Sequence, residues 1–151
     1  MGNDTDRFTT YLHCKGAEII NLTSCEEEVY RQEWFTRVVP ANMRQKAIAS
    51  HCFDEGIYNG YLWHVFSYEI LDSLKGTEAK SAFNNISKQE AVLLVKLVDI
   101  ASCRIRNISY ITAGCFDFLD DIILTDSNFE WVYVKTHEPT CGPYFYNTPG
   151  K

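Results

Sequence analysis

The sequence predicts one α+β domain, with helices packed on a mostly antiparallel central sheet of about five strands that ends in a β-hairpin. Helix-type and strand-type segments do not alternate strictly along the chain, which disfavours a doubly wound parallel sheet. Near the C-terminus, the turn-forming residues 126–129 join two strand-type segments and predict the hairpin. The 151 residues suit a single domain over 17–151, preceded by a loose segment over 1–16 that lacks periodicity.

A strand and a helix open the predicted domain. The strand is predicted over 18–22, Thr23 and Ser24 then offer an N-cap, and Ser24 with Glu27 has the spacing of a capping box. The apolar residues of the predicted buried face recur at every fourth position: Tyr30, Trp34 and Val38. Two pairs have the i, i+4 order of favourable ion pairs: Glu27–Arg31 and Glu33–Arg37. Pro40 ends this helix and opens a second one through Ile48.

The remaining elements are shorter. The aromatic-rich stretch 61–68 is apolar on both alternating faces and predicts a central strand, with a helix as the alternative. Gly76 and Thr77 begin a short helix that carries Ala79, Ala82, Phe83 and Ile86. Strands are predicted over 91–98, 103–110, 122–125 and 130–136, and a short helical segment over 112–119.

The chain is acidic, with a net charge of -6 at pH 7. This charge argues against a nucleic-acid partner, which needs a concentrated basic face, and it suits a basic protein partner. Arg104 and Arg106 share one face of a predicted strand and could bind a phosphate or an acidic partner. In so acidic a chain, we expect them to balance neighbouring carboxylates instead.

Targeting, metal and cofactor motifs are not found in the sequence. The N-terminal residues lack the basic and apolar regions of a secretion signal, and no apolar run approaches the ~18 residues of a membrane helix. We therefore expect a cytoplasmic chain, away from membranes, whose six cysteines are reduced. Without a Cys-x-x-Cys pair, a glycine-rich phosphate loop or a nucleophile elbow, the sequence predicts neither a metal nor a cofactor.

The candidate catalytic residues lie in two stretches. In the C-terminal one, His137 and Cys141 have the residue types of a base–nucleophile pair or of two metal ligands. Consecutive strand residues point to opposite faces, so Glu138 is not a ready partner for His137. In the other stretch, His64 and Glu69 could complete a site if the two strands are neighbours. The alternative is structural: His64 as a hydrogen-bonded core residue, and Cys141 as a small buried side chain.

Aromatic residues make up 14% of the chain, which indicates either a well-filled core or a surface for binding. Interfaces are rich in tyrosine and tryptophan, whose large rings keep a polar tip. The aromatic residues of the two candidate stretches are therefore the candidate binding residues: Trp63, Tyr68, Trp131, Tyr133 and Tyr144.

Two sequence blocks carry a resemblance. The first is Gly60-Tyr61-Leu62-Trp63-His64-Val65-Phe66-Ser67-Tyr68, and the second runs from Phe129 through Trp131, Tyr133, Val134 and Thr136-His137-Glu138 to Cys141-Gly142-Pro143-Tyr144-Phe145. Together they resemble a family of small bacterial proteins of Bacillus and related Firmicutes that is known as a domain of unknown function. The resemblance implies a bacterial cytosolic setting and a domain spanning the chain, and it implies no reaction.

Two functions remain open on the sequence alone. The first is a binding module, for example an immunity-type inhibitor of a basic toxin, which fits the small size, the acidity and the aromatic content. The alternative is a small hydrolytic or metal-dependent enzyme built on His64, His137 and Cys141 with a carboxylate. The binding module is preferred because the candidate catalytic residues must converge in space, which sequence does not establish.

Overall fold

The computed structural model describes residues 12, 16–49, 66, 71–95, 102–109, 111–116, 119, 121–136 and 142–148. Within these residues the chain forms an α+β fold with one sheet and three α-helices. In chain order the elements are β1 (Glu18–Asn21), α1 (Ser24–Val38), a 3-10 turn (Ala41–Met43), α2 (Arg44–Ala49), β2 (Leu74–Lys75), α3 (Gly76–Asn85), β3 (Glu90–Val95), β4 (Cys103–Arg106), a second 3-10 turn (Ala113–Phe116), β5 (Ile122–Thr125), β6 (Trp131–Lys135) and β7 (Tyr144–Asn147).

The sheet has seven strands in the order β1-β4-β3-β5-β6-β7-β2, and every neighbouring pair is antiparallel. The predicted number of about five is therefore too low. β2 has only two residues, too few to show a period, and the aromatic run of β7 gives no alternation of apolar and polar residues. The predicted hairpin is confirmed as β5 and β6, which pair from Ile122 opposite Lys135, and β7 then adds to β6.

Both faces of the sheet are buried. Along β6, Trp131 and Tyr133 belong to the core on the α3 side, while Val132 and Val134 belong to the core on the α1 side. Strands covered on both faces are apolar at every position instead of at every second one. This double burial explains why β3 and β5 have continuous apolar sequences.

Helix α1 is capped by Thr23, one of the two predicted N-caps. Thr23 accepts a hydrogen bond from the Glu26 backbone N–H at 3.1 Å, and the Glu26 carboxylate accepts one from the Thr23 N–H at 2.9 Å. The predicted capping box of Ser24 and Glu27 is wrong: the box is formed by Thr23 and Glu26, and the Glu27 carboxylate accepts a hydrogen bond from the Ser102 hydroxyl. The predicted ion pairs are confirmed, with N···O distances of 3.9 Å for Glu27–Arg31 and 3.1 Å for Glu33–Arg37.

Two isolated residues bear on other predictions. Phe66, within the stretch predicted as a central strand, has helical backbone, so the strand prediction is wrong at that position. Leu12, within the segment predicted as loose, is fully buried in the core on the α3 side, and its carbonyl accepts a hydrogen bond from the Ala17 N–H at 3.0 Å. In the part of the chain that the structure describes, no helix is both long and apolar enough to cross a membrane.

Candidate functional site

The five candidate catalytic residues lie outside the described residues: His64, Glu69, His137, Glu138 and Cys141. The same holds for two candidate binding residues, Trp63 and Tyr68. Their convergence into a site therefore stays a prediction.

The other three candidate binding residues are buried. Trp131 and Tyr133 pack around Phe83 of α3, with ring centroids 5.7 and 4.6 Å from the Phe83 centroid. Tyr144 lies on the opposite side of the sheet, where its ring centroid is 5.8 Å from that of Phe66. These three rings contribute to two different cores and do not form one common surface.

A row of charges crosses three strands on the α1 side of the sheet. Glu18 of β1 lies opposite Arg106 of β4, which in turn lies opposite Glu90 of β3. The Glu90 carboxylate is 3.7 Å from Arg106 Nε and 3.7 Å from Arg104 Nη2, and it accepts a hydrogen bond from the Ser127 hydroxyl. The expectation that Arg104 and Arg106 balance neighbouring carboxylates is thus confirmed for Glu90.

A pocket of about 250 Å³ adjoins this row, between the α3–β3 loop and the β5–β6 turn. Its lining is mostly polar: Ser87, Lys88, Gln89, Glu90, Asp126, Ser127, Asn128, Glu130 and Trp131. Asp126 closes the turn, since its carboxylate accepts hydrogen bonds from the backbone N–H groups of Glu130 at 2.5 Å and Trp131 at 3.4 Å. The sequence indicated the turn by its residue types, but the pairing of Glu90 with two arginines of the next strand has no local signal.

Lys88 is buried in the pocket wall. Its ammonium donates a hydrogen bond to the Phe83 carbonyl at 2.9 Å and lies 4.6 Å from the centroid of the Phe83 ring. Burial lowers the pKa of Lys88, and the nearby Cys115 thiol opposes that shift. A cation beside the last carbonyls of a helix and over an aromatic face is held electrostatically, so Lys88 fastens the end of α3.

A second polar cluster joins α1 to the sheet where β3 ends. Arg31 is buried, and its Nη2 donates to the Val95 carbonyl at 2.7 Å. The Ser102 hydroxyl accepts a hydrogen bond from the Val95 N–H at 3.0 Å and donates to the Glu27 carboxylate. Burial lowers the pKa of Arg31 and the Glu27 charge raises it, while an arginine retains its proton in either case. The cluster satisfies both backbone groups of Val95 through side chains.

The reactivity of two cysteines tests the burial that the structure assigns to them. Cys25 is exposed on α1, whereas Cys103 is buried and its burial raises the pKa of the thiol to about 12 from 9.0. The thiolate is the reactive form, so we expect alkylation of Cys25 by iodoacetamide at pH 8 at least ~100-fold faster than that of Cys103. Site-resolved mass spectrometry over a time course measures both rates. Equal rates in the folded protein would contradict the burial of Cys103.

The raised pKa of Cys103 makes the free energy of unfolding depend on pH. Above pH 9.0 an unfolded chain releases the Cys103 proton, while the folded chain keeps it up to about pH 12. The stabilisation from this thiol is therefore fully present below pH 9.0 and is lost as pH rises toward about 12. A Cys103→Ala variant should show a weaker decline of the free energy of unfolding across this range.

No curated protein and no solved structure matches the chain. In the described part of the chain, no three His, Cys, Asp or Glu side chains are arranged to hold a metal ion. A family model described as Domain of unknown function (DUF4275) matches residues 7–145, nearly the whole chain. The chain therefore belongs to the family Domain of unknown function (DUF4275).

Proposed function

We propose that this protein is a cytoplasmic binding module whose partner is a basic protein. An immunity-type inhibitor of a basic toxin is one form that such a module takes. The proposal rests on the net charge of -6 and on the ion pairs that the structure shows.

The described scaffold largely neutralises its own charges. Glu33 pairs with Arg37, Glu27 with Arg31, and Glu90 with two arginines. The residues that the structure describes include 11 of the 20 acidic and 10 of the 14 basic residues, so the net charge of -6 comes mainly from the rest of the sequence, which has nine acidic and four basic residues. Charged side chains are almost never fully buried without a partner, so this excess supports a negative field around the molecule.

Such a field favours association with a basic protein. Complementary charge accelerates encounter, and the acceleration declines steeply with ionic strength because salt screens the attraction over about 8 Å at 0.15 M. The association rate should therefore carry most of the salt dependence, while buried contacts determine how long the complex persists.

The test is capture of cell proteins on the immobilised, folded protein at about 50 mM and 500 mM salt, since screening separates charge-driven from other contacts over this range. We expect a reproducible basic protein at low salt that forms a defined complex when both partners are purified. Kinetic measurements on that pair should then show an association rate that falls with salt. A capture that retrieves no reproducible protein, or stoichiometric zinc in protein purified without chelator together with hydrolytic activity, would contradict the proposal.

A further inference from the structure

We propose that β1 is a docking edge, to which an extended basic segment of the partner adds as an eighth strand of the sheet. This inference rests on the proposed function and specifies which surface performs it. Strand addition to an exposed sheet edge is a common mode of peptide recognition: main-chain hydrogen bonds supply affinity, and alternate side chains supply specificity.

The first observation is the exposure of β1 at one end of the sheet. Glu18, Ile20 and Asn21 are exposed, and 37% of the Ile20 surface is accessible although its partner across the strands, Arg104, is half-buried. The opposite edge is β2, which has only two residues and offers no length for pairing. Proteins usually shorten or charge their edge strands to prevent added pairing. β2 has two residues and β1 has four, so β1 is the edge with more backbone available for pairing.

The second observation is the direction of the β1 backbone groups. The Leu22 N–H donates to the Ser102 carbonyl at 2.9 Å, in register with the pairing of Glu18 with Arg106. Hydrogen-bonded positions alternate along an antiparallel strand, so Glu18 and Ile20 bond inward to β4. The N–H and C=O groups of Ile19 and Asn21 consequently point away from β4, toward an added strand.

The third observation is the pattern of side chains across the strands. The row that begins at Glu18 alternates in sign, with Arg106 next and Glu90 after it. Opposite charges that lie side by side on neighbouring strands attract, so a cation beside Glu18 continues the alternation. Ile20, two residues along on the same face, offers an apolar neighbour. The docking segment therefore has a basic residue and an apolar residue two positions apart.

Charge also distinguishes this occupant from a second copy of the chain. Pairing of two β1 strands about Ile19 brings together two molecules that each carry -6. It also places Glu18 of each copy beside Ile20 of the other instead of beside a cation. A basic segment of a different protein satisfies both positions, so we assign the edge to that partner.

A synthetic hexapeptide, acetyl-Thr-Lys-Thr-Val-Thr-Lys-amide, serves as the probe in a titration followed by backbone amide NMR shifts. We expect the shifts to concentrate on β1 and β4. The peptide pairs with β1 through only one of its edges. Methylation of the backbone nitrogens at the Lys and Val positions should therefore change its affinity differently from methylation at the Thr positions. One analogue should bind at least ~10-fold more weakly than the parent peptide, and the other should bind comparably.

Two variants with matched controls complete the test. Asn21→Pro removes an outward N–H and should abolish peptide binding, whereas Asn21→Thr keeps that N–H and should retain it. Glu18→Lys should reverse the preference for the lysine peptide over its glutamate counterpart, and Glu78→Lys, at an exposed position on α3, should not. The two methylated peptides keep the test decisive even if Asn21→Pro fails to fold.

The outcomes separate the docking edge from the function itself. Equal binding of both methylated peptides, or an unchanged preference in Glu18→Lys, would overturn the docking edge. The docking edge would also be overturned if sedimentation shows that the wild-type protein is a dimer and that Asn21→Pro is a monomer, because the occupant of the edge would then be a second copy. A basic protein that is captured at low salt equally well by wild type and Asn21→Pro would overturn the edge while sustaining the binding function.

Discussion

Replacement of Phe83 by alanine is expected to lower the free energy of unfolding by about 3–5 kcal/mol, the largest effect of any single change considered. The Phe83 side chain is fully buried. Its ring stacks on Tyr133 at 4.6 Å, meets Trp131 and Phe116 edge-on, and carries the Lys88 ammonium over its face. Truncation leaves a cavity at the centre of the α3-side core and removes every one of these contacts.

Urea unfolding followed by circular dichroism measures the change. Phe83→Leu fills most of the same volume and should cost clearly less, since the remaining cavity is smaller. Val29→Ala, at a position that is 55% exposed, should stay within about 0.5 kcal/mol of wild type. A loss below about 1 kcal/mol for Phe83→Ala would mean that α3 does not pack on the sheet as described.

Replacement of Arg31 by methionine is expected to lower the free energy of unfolding by about 2–4 kcal/mol. Methionine keeps the length of the side chain but removes the hydrogen bond to the Val95 carbonyl and the charge that faces Glu27. The carboxylate then lies partly buried against Ser102 without its cation. Most of the cost comes from these groups left without a partner, more than from the favourable energy of the ion pair itself.

A double-mutant cycle distinguishes this account from a simple loss of packing. Glu27→Gln removes the carboxylate charge, so the Glu27→Gln/Arg31→Met protein should be more stable than the sum of the two single changes implies. The exposed pair of Glu33 and Arg37 provides the control, because a solvated ion pair couples by less than about 1 kcal/mol. Additive effects at Glu27 and Arg31 would show that the buried charges do not depend on one another.

The elements that sequence predicts well are those whose pattern is local. Trp34 and Val38 of the predicted α1 stripe are buried and Tyr30 is half-buried, and the β5–β6 hairpin follows from turn-forming residues between two apolar runs. Ala79 and Phe83 are buried on α3, as its short apolar pattern predicts. In each case, the signal comes from neighbouring residues along the chain.

The elements that sequence predicts poorly depend on distant partners. β2 exists because Leu74 and Lys75 meet β7, about half the chain away. Glu27, which has the spacing of a capping-box partner for Ser24, instead contacts Ser102, a partner 75 positions along the chain. The same reason applies to the charge row, since the types of Arg104 and Arg106 are visible in sequence but Glu90 becomes their partner only through the register of β3 and β4. Trp131, Tyr133 and Tyr144 show the converse: their rings lie in the core, and composition alone does not separate core rings from surface rings.

The order of strands in the sheet also bears on how the molecule assembles. The five inner strands all come from the second half of the chain, and each pairs with a strand that is near it in sequence. The two outer strands, β1 and β2, come from the first half and pair across long stretches of chain. Contacts between near neighbours close small loops and form early, whereas distant pairings wait for loop closure. We therefore expect the C-terminal half to form the nucleus on which the N-terminal half completes the sheet, and we expect β1 to be among the last strands to dock and among the easiest to release.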